Sequence, residues 1–251
     1  MIDLEHRGQV AVVRLAHGKV NALDVELLAA IVGVLDQIGN TPARAVVLTG
    51  SGTVFCAGVD LRRVLSGTPD YLERFLPALT EAVARLFFFP LPVVAAVNGP
   101  AVAGGCVLAA ACDRRILASG SRIGASELLV GVPFPVAALE VLRHACGDAV
   151  DEVILSGRLY EAEEARAVGL AHETVDGEGL LERAVALAGA LGSLAPAAFR
   201  LAKAQLRRPT LDRIAADSPT VDPEVRALWG AEETTAAIRA QLDRMAGGRR
   251  E

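Results

Sequence analysis

Two turns built from small residues, each set directly after a short apolar run, constrain this chain more than any other feature. The first, Phe55-Cys56-Ala57-Gly58-Val59-Asp60-Leu61, follows Ala45 to Thr49. The second, Asn98-Gly99-Pro100-Ala101-Val102-Ala103-Gly104-Gly105-Cys106, follows Val93 to Val97. Both runs read as buried strands, and both turns lead into a helical pattern. A strand, a small-residue turn and a helix start leave backbone N–H groups pointing outward, because the first turn of a helix has no internal acceptors for them. Two such turns facing each other make a hole for an oxyanion, in which each backbone donor is worth about 3 to 4 kcal/mol of transition-state stabilisation. A nucleotide-phosphate loop at Gly50-Ser51-Gly52 is excluded, since Phe55 stands where its third glycine belongs and no Gly-Lys-Ser or Gly-Lys-Thr follows.

Elsewhere the periodicity alternates between strand and helix. Gln9 to Leu15 reads as a first strand, and Asp24 to Ile38 places Leu28, Ile31, Val32 and Leu35 on one helical face. The alternation continues through Asp113 to Ala118 and predicts an α/β fold. After about Gly192 the pattern is helical only, with Pro196 placed to start a helix through Leu206 and with Ile238, Leu242 and Met245 spaced for another. Arg207 to Pro223, rich in Pro, Asp and Arg, predicts an irregular connection between them. The expected organisation is a core over residues 1–192 and a helical region over 193–251.

A chain of 251 residues has ample length to bury a core. Its net charge of -5, with no basic tract, argues against nucleic acid as a partner. Leu86 to Cys112 carries no charged side chain, but Pro90, Pro92, Gly99, Pro100 and Gly104 interrupt it, which favours a buried strand and helix over a membrane span. Met1 to Glu5 lacks a basic start and an apolar stretch, so a cytoplasmic location is expected. Cys56, Cys106, Cys112 and Cys146 form no Cys-x-x-Cys pair, and His6, His17, His144 and His172 show no ligand spacing, so no metal site is expected. A hydrophobic share of 52% predicts apolar surface buried between subunits.

The chain resembles the enoyl-CoA hydratase/isomerase, or crotonase, superfamily from about Val10 to Ala202. The resemblance lies in Gly18-Lys19-Val20-Asn21-Ala22-Leu23, in the two glycine turns with Ala110-Ala111-Cys112-Asp113, and in Ser156-Gly157-Arg158, Glu163-Glu164-Ala165 and Gly169-Leu170-Ala171. It implies a spiral of ββα units with a small C-terminal helical region, an acyl-CoA substrate, no separate cofactor, and a homotrimer or dimer of trimers. It assigns the oxyanion donors to the backbone N–H groups of Ala57 and Gly104, and places Lys19, Val20, Cys56, Val59, Asp60, Leu61, Gly105 and Val107 against the substrate. Arg62 and Arg63 fit either CoA phosphates or a solvated helix turn, and Asp60 fits a helix N-cap equally well.

Hydratases of this family use two glutamates to activate water. Here Val107 stands at the first position and Glu127, in Gly124-Ala125-Ser126-Glu127-Leu128-Leu129-Val130-Gly131, at the second. Flanked by apolar residues, Glu127 is expected to be desolvated and to carry a raised pKa. One base suits proton transfer better than water addition, so the expected reaction moves the double bond of a 3-enoyl-CoA to the 2-position. Val130-Gly131-Val132-Pro133-Phe134-Pro135 would supply a dry wall. The alternatives are a hydratase whose second acid is Glu140 or Glu161, another crotonase-type reaction, and a non-catalytic acyl-CoA-binding protein.

Overall fold

The computed structural model describes residues 1–67 and 69–247. The chain opens with an antiparallel hairpin, β1 (Ile2–Arg7) and β2 (Val10–Leu15), then α1 (Val25–Gly39), β3 (Ala45–Gly50), α2 (Leu61–Ser66) and α3 (Pro69–Phe87). Next come β4 (Val93–Val97), β5 (Ala101–Val102), α4 (Gly104–Ala111), β6 (Arg114–Ala118) and β7 (Arg122–Gly124). A 3-10 turn over Glu127–Val130 leads to α5 (Val136–Cys146), α6 (Val150–Ser156), β8 (Tyr160–Glu161), α7 (Ala162–Ala167) and β9 (Glu173–Val175). Three helices close the chain, α8 (Leu180–Gly192), α9 (Pro196–Trp229) and α10 (Glu232–Gly247).

The larger sheet runs β1-β2-β3-β4-β6-β9 and is parallel from β2 onward. Every residue of β3 and β4 is buried, as strands covered on both faces must be. Ala45, Val47, Val94 and Ala96 point one way, onto Leu180, Ala184 and Ala188 of α8. Val46, Leu48, Val93 and Ala95 point the other way, into the main core with α1 and α3. The alternation follows from the two-residue period of a strand. β1, not expected from the sequence, is an edge strand in which half-buried Ile2 and Leu4 alternate with exposed Asp3 and Glu5.

The smaller sheet, β5-β7-β8, explains the spiral. Isolated bridges extend its row, pairing Leu23 with Val59 and Cys56 with Ala101, while Val102 pairs with Gly124 and Ile123 with Tyr160. Each turn of the chain thus gives one strand to the large sheet, then a short segment to this row, then a helix. The segments that stand apart in sequence become neighbours here. The charge-free stretch from Leu86 divides into the end of α3, β4, β5 and the wholly buried α4. No single helix among the described residues is long and apolar enough to cross a membrane.

The C-terminal region departs from the expected irregular connection. α9 is a continuous helix of 34 residues that runs through Pro209, Pro219 and Pro223. Each proline removes an internal hydrogen bond, but all three face solvent, where water satisfies the freed carbonyls. The opposite stripe is anchored by tertiary contacts. Asp113, at the start of β6, accepts from Lys203 Nζ at 2.7 Å, from Arg207 at 2.8 Å and from the Val93 N–H at 2.7 Å. Arg213 pairs with Glu140 of α5, and Asp222 accepts from the Val136 N–H at 2.9 Å. Tertiary anchoring outweighs helix propensity here. The side chain of Met245, expected on the last apolar face, lies outside the described residues.

Candidate active site

A cavity of about 540 Å³ opens beside the short row of paired segments. Exposed Lys19 and Arg62 stand at its mouth, and Val20, Ala57, Val59, Asp60 and Leu61 form one wall. Ala103, Ser126 and Glu127 also line it, together with buried Val130, Val132 and Trp229 and half-buried Leu242.

Asn21 fixes the first turn. It is fully buried in the left-handed region at φ 51°, and its Nδ2 donates to the carbonyls of Val54 at 3.0 Å and Phe55 at 3.2 Å. Its Oδ1 accepts from the His17 N–H at 3.0 Å. Held in this way, Val20 offers its carbonyl to the Ala57 N–H at 3.0 Å, while Leu23 donates to the Gly58 carbonyl at 2.8 Å and accepts from the Asp60 N–H at 2.9 Å. Among the described residues, the N–H groups of this turn left without a backbone acceptor are those of Gly58, Val59 and Leu61. The Ala57 donor proposed from sequence is already used. Among the described residues Val59 has no backbone acceptor for its N–H, and it lines the cavity, so it is a candidate donor where Ala57 is not.

Gly104, the first residue of α4, likewise has no backbone acceptor among the described residues. The two turns touch. A Cβ on Gly58, which sits at φ 85°, would lie 2.7 Å from the Val102 carbonyl oxygen and 3.4 Å from the Gly104 nitrogen. Only glycine permits both the backbone conformation and the approach.

Glu127 begins the 3-10 turn that follows β7, and its side chain faces the same cavity. The residue is 6% exposed, and Oε2 has no hydrogen-bond partner among the described residues. Burial pushes its carboxyl up to about 8, since the charged form loses its hydration. Of the flanking residues Leu128, Leu129 and Val130, the last alone lines the cavity with Glu127. Leu128 and Leu129 turn outward, Leu129 to 60% exposure, and Val130 and Val132 supply the apolar surroundings instead. The turn is fastened from outside, where Thr234 of α10 donates to the Gly131 carbonyl at 3.2 Å.

The other buried acids differ. Asp24 caps α1 by accepting from the Leu27 N–H at 2.8 Å and meets His17 at 2.7 Å. Glu140 is held by Arg143 at 2.9 Å and by Arg213. Neither lines the cavity. Glu161 is exposed and stands 3.7 Å from Arg122, so neither alternative second acid reaches the site. Asp60 does line the cavity, but its Oδ1 caps α2 by accepting from the Arg62 and Arg63 N–H groups at 3.0 and 3.1 Å.

The sequence pattern described as enoyl-CoA hydratase/isomerase matches residues 5–223. This chain belongs to the enoyl-CoA hydratase/isomerase family. It is 38% identical over 208 residues to a Thermus thermophilus protein provisionally named enoyl-CoA hydratase, a match covering 81% of this chain and 82% of that one. It is 32% identical over 219 residues to human mitochondrial enoyl-CoA delta isomerase 1, covering 85% of this chain and 72% of the relative. Its fold superposes on the crystal structure of human mitochondrial delta3-delta2-enoyl-CoA isomerase with a TM-score of 0.93 at 28% identity, covering 98% of both chains. The crotonase fold expected from the motifs is thereby established.

Within this family member, three residues expected at the substrate stand behind the cavity wall. Cys56 is fully buried, and burial pushes its thiol up to about 12. Gly105 lies against it so closely that a Cβ would meet the Cys56 carbonyl oxygen at 2.2 Å. Val107 is 1% exposed and packs into the core. None of the three lines the space. Sequence reasoning also missed Trp229, Leu242 and Gln241, which reach the cavity from α9 and α10. No short motif marks them; their one signal is the single tryptophan in an otherwise polar helical tail.

Proposed function

We propose that this enzyme of the enoyl-CoA hydratase/isomerase family converts 3-enoyl-CoA to 2-enoyl-CoA with Glu127 as its single acid and base. The thioester oxygen accepts from the Val59 and Gly104 N–H groups, which draws electron density from the α-carbon. Ionised Glu127 removes a C2 proton, and the C–H electrons enter a dienolate held by the two donors. The protonated carboxyl then delivers that proton to C4, leaving the double bond between C2 and C3. No cofactor takes part, since CoA arrives with the substrate. Lys19 and Arg62 at the mouth suit its phosphates.

One observation carries this reading: Glu127 is the unpartnered buried acid of the cavity, while the position of a second hydratase glutamate holds core-packed Val107. Likeness to the human isomerase adds support. The hydratase name of the Thermus relative favours a second reading. Water addition would then call on Asp60, whose Oδ1 already caps α2.

The test compares purified protein on 3-hexenoyl-CoA and crotonyl-CoA, each repeated with Glu127→Gln. Formation of 2-hexenoyl-CoA that the variant loses by about a thousandfold, with little hydration, is the expected result. Hydration of crotonyl-CoA far faster than isomerisation would reverse the assignment. A homotrimer or dimer of trimers is the proposed assembly, supported by Leu201, Leu206, Leu211 and Leu228 exposed on α9; sedimentation as a monomer would refute it.

A further inference from the structure

The geometry points to Trp229 as the gauge that sets how long an unbranched acyl tail this enzyme accepts. The inference rests on the acyl-CoA reading of the cavity but not on which reaction occurs there. The cavity has a direction, from exposed Lys19 and Arg62, past the two free N–H groups and Glu127, to an inner end where Val132 and Trp229 are each 2% exposed. A thioester seated on Val59 and Gly104 has its CoA toward the open mouth and its tail toward that inner end.

Trp229 is built as a fixed wall. Its Nε1 donates to the Pro133 carbonyl at 2.9 Å, which ties α9 to the segment just after the Glu127 turn. Its ring lies 6.1 Å from that of Phe75, which stacks in turn on Tyr71 at 5.8 Å. The residue ends α9, so the long anchored helix behind it resists displacement. An indole bonded at one edge and packed on an aromatic row cannot swing aside as a flexible side chain does. A tail shorter than the distance to Trp229 buries each added methylene, whereas a longer one meets the ring. This positions Trp229 as a specificity residue that touches the end of the substrate rather than the reacting atoms.

Trp229 is also the chain's single tryptophan, so its emission reports directly on arrival of the tail. Saturated acyl-CoA thioesters from butyryl to dodecanoyl, which carry no double bond to shift or hydrate, are titrated against wild type, Trp229→Leu and Trp229→Phe. Binding is read by calorimetry and, in the wild type, by emission. Wild-type affinity is expected to rise about fourfold per added methylene up to a limiting length and then stop rising. The emission should change only near that length. In Trp229→Leu the limit moves at least two carbons longer, and in Trp229→Phe, which keeps a ring and serves as the folding control, it moves by one carbon or less. An unchanged limit in Trp229→Leu, with wild-type emission indifferent to chain length, would overturn the gauge while leaving acyl-CoA binding intact. Failure of the wild type to bind any thioester would overturn the acyl-CoA reading and the gauge with it.

Discussion

Glu127 must be buried to be a base of useful strength, and that burial fixes how activity and stability respond to pH. Its carboxyl titrates near 8 in the folded protein against an ordinary 4.5. Isomerisation needs the ionised form, so kcat/KM should rise with pH and level off above about 8. A profile flat from pH 6 to 9 would contradict this. Stability runs the opposite way. Between 4.5 and about 8 the folded state keeps a proton that the unfolded state has released, so unfolding is favoured as pH rises through that window. Glu127→Gln should therefore match the wild type near pH 4 and exceed it by on the order of 5 kcal/mol at pH 9, as measured by denaturant unfolding. Glu127 itself was legible because its neighbours form a recognisable segment. The proposed donor Val59 was not, because Ala57 and Val59 differ in which N–H the Val20 carbonyl already holds, a fact of pairing between distant segments.

The turn and the long helix show opposite relations between local sequence and structure. In the first turn the sequence dictates the conformation, since Gly58 needs both a positive φ and bare space against Val102 and Gly104. Gly58→Ala is expected to lower kcat/KM by a hundredfold or more through loss of the paired donors. Gly52→Ala nearby, also at positive φ but with nothing within 4 Å, should cost only about 1 kcal/mol of stability and leave turnover unchanged. Equal activity loss in both would refute the paired-turn account. In α9 the surroundings prevail over three prolines, through side chains whose partners lie about 90 positions earlier. Asp113→Ala leaves Lys203 and Arg207 buried without their counter-charge and should destabilise the protein by about 3 to 5 kcal/mol. Hydrogen exchange should quicken first in the initial turns of α9. No inspection of Arg207 to Pro223 alone could have revealed that anchor.

At the scale of the whole molecule, the spiral makes a site from parts that sequence reads separately. The motif segments lie along one row because the small sheet pairs Leu23 with Val59, Cys56 with Ala101 and Val102 with Gly124. Strand and helix periodicity predicted the α/β class, and family motifs predicted the spiral. The resemblance also implied a tail that helps close the acyl pocket or packs on a neighbouring subunit, but not that Trp229, Gln241 and Leu242 would line the cavity, because those contacts depend on how the tail folds back over the core. In the proposed reaction one carboxyl carries one proton from C2 to C4 inside a largely apolar cavity. The measurement that meets it most directly follows 3-hexenoyl-CoA carrying deuterium at C2 through a single conversion in ordinary water. Deuterium recovered at C4 of the 2-hexenoyl-CoA product, with no product from Glu127→Gln, is the predicted result. Product whose C4 hydrogen comes wholly from solvent, or 3-hydroxyhexanoyl-CoA as the main product, would contradict it.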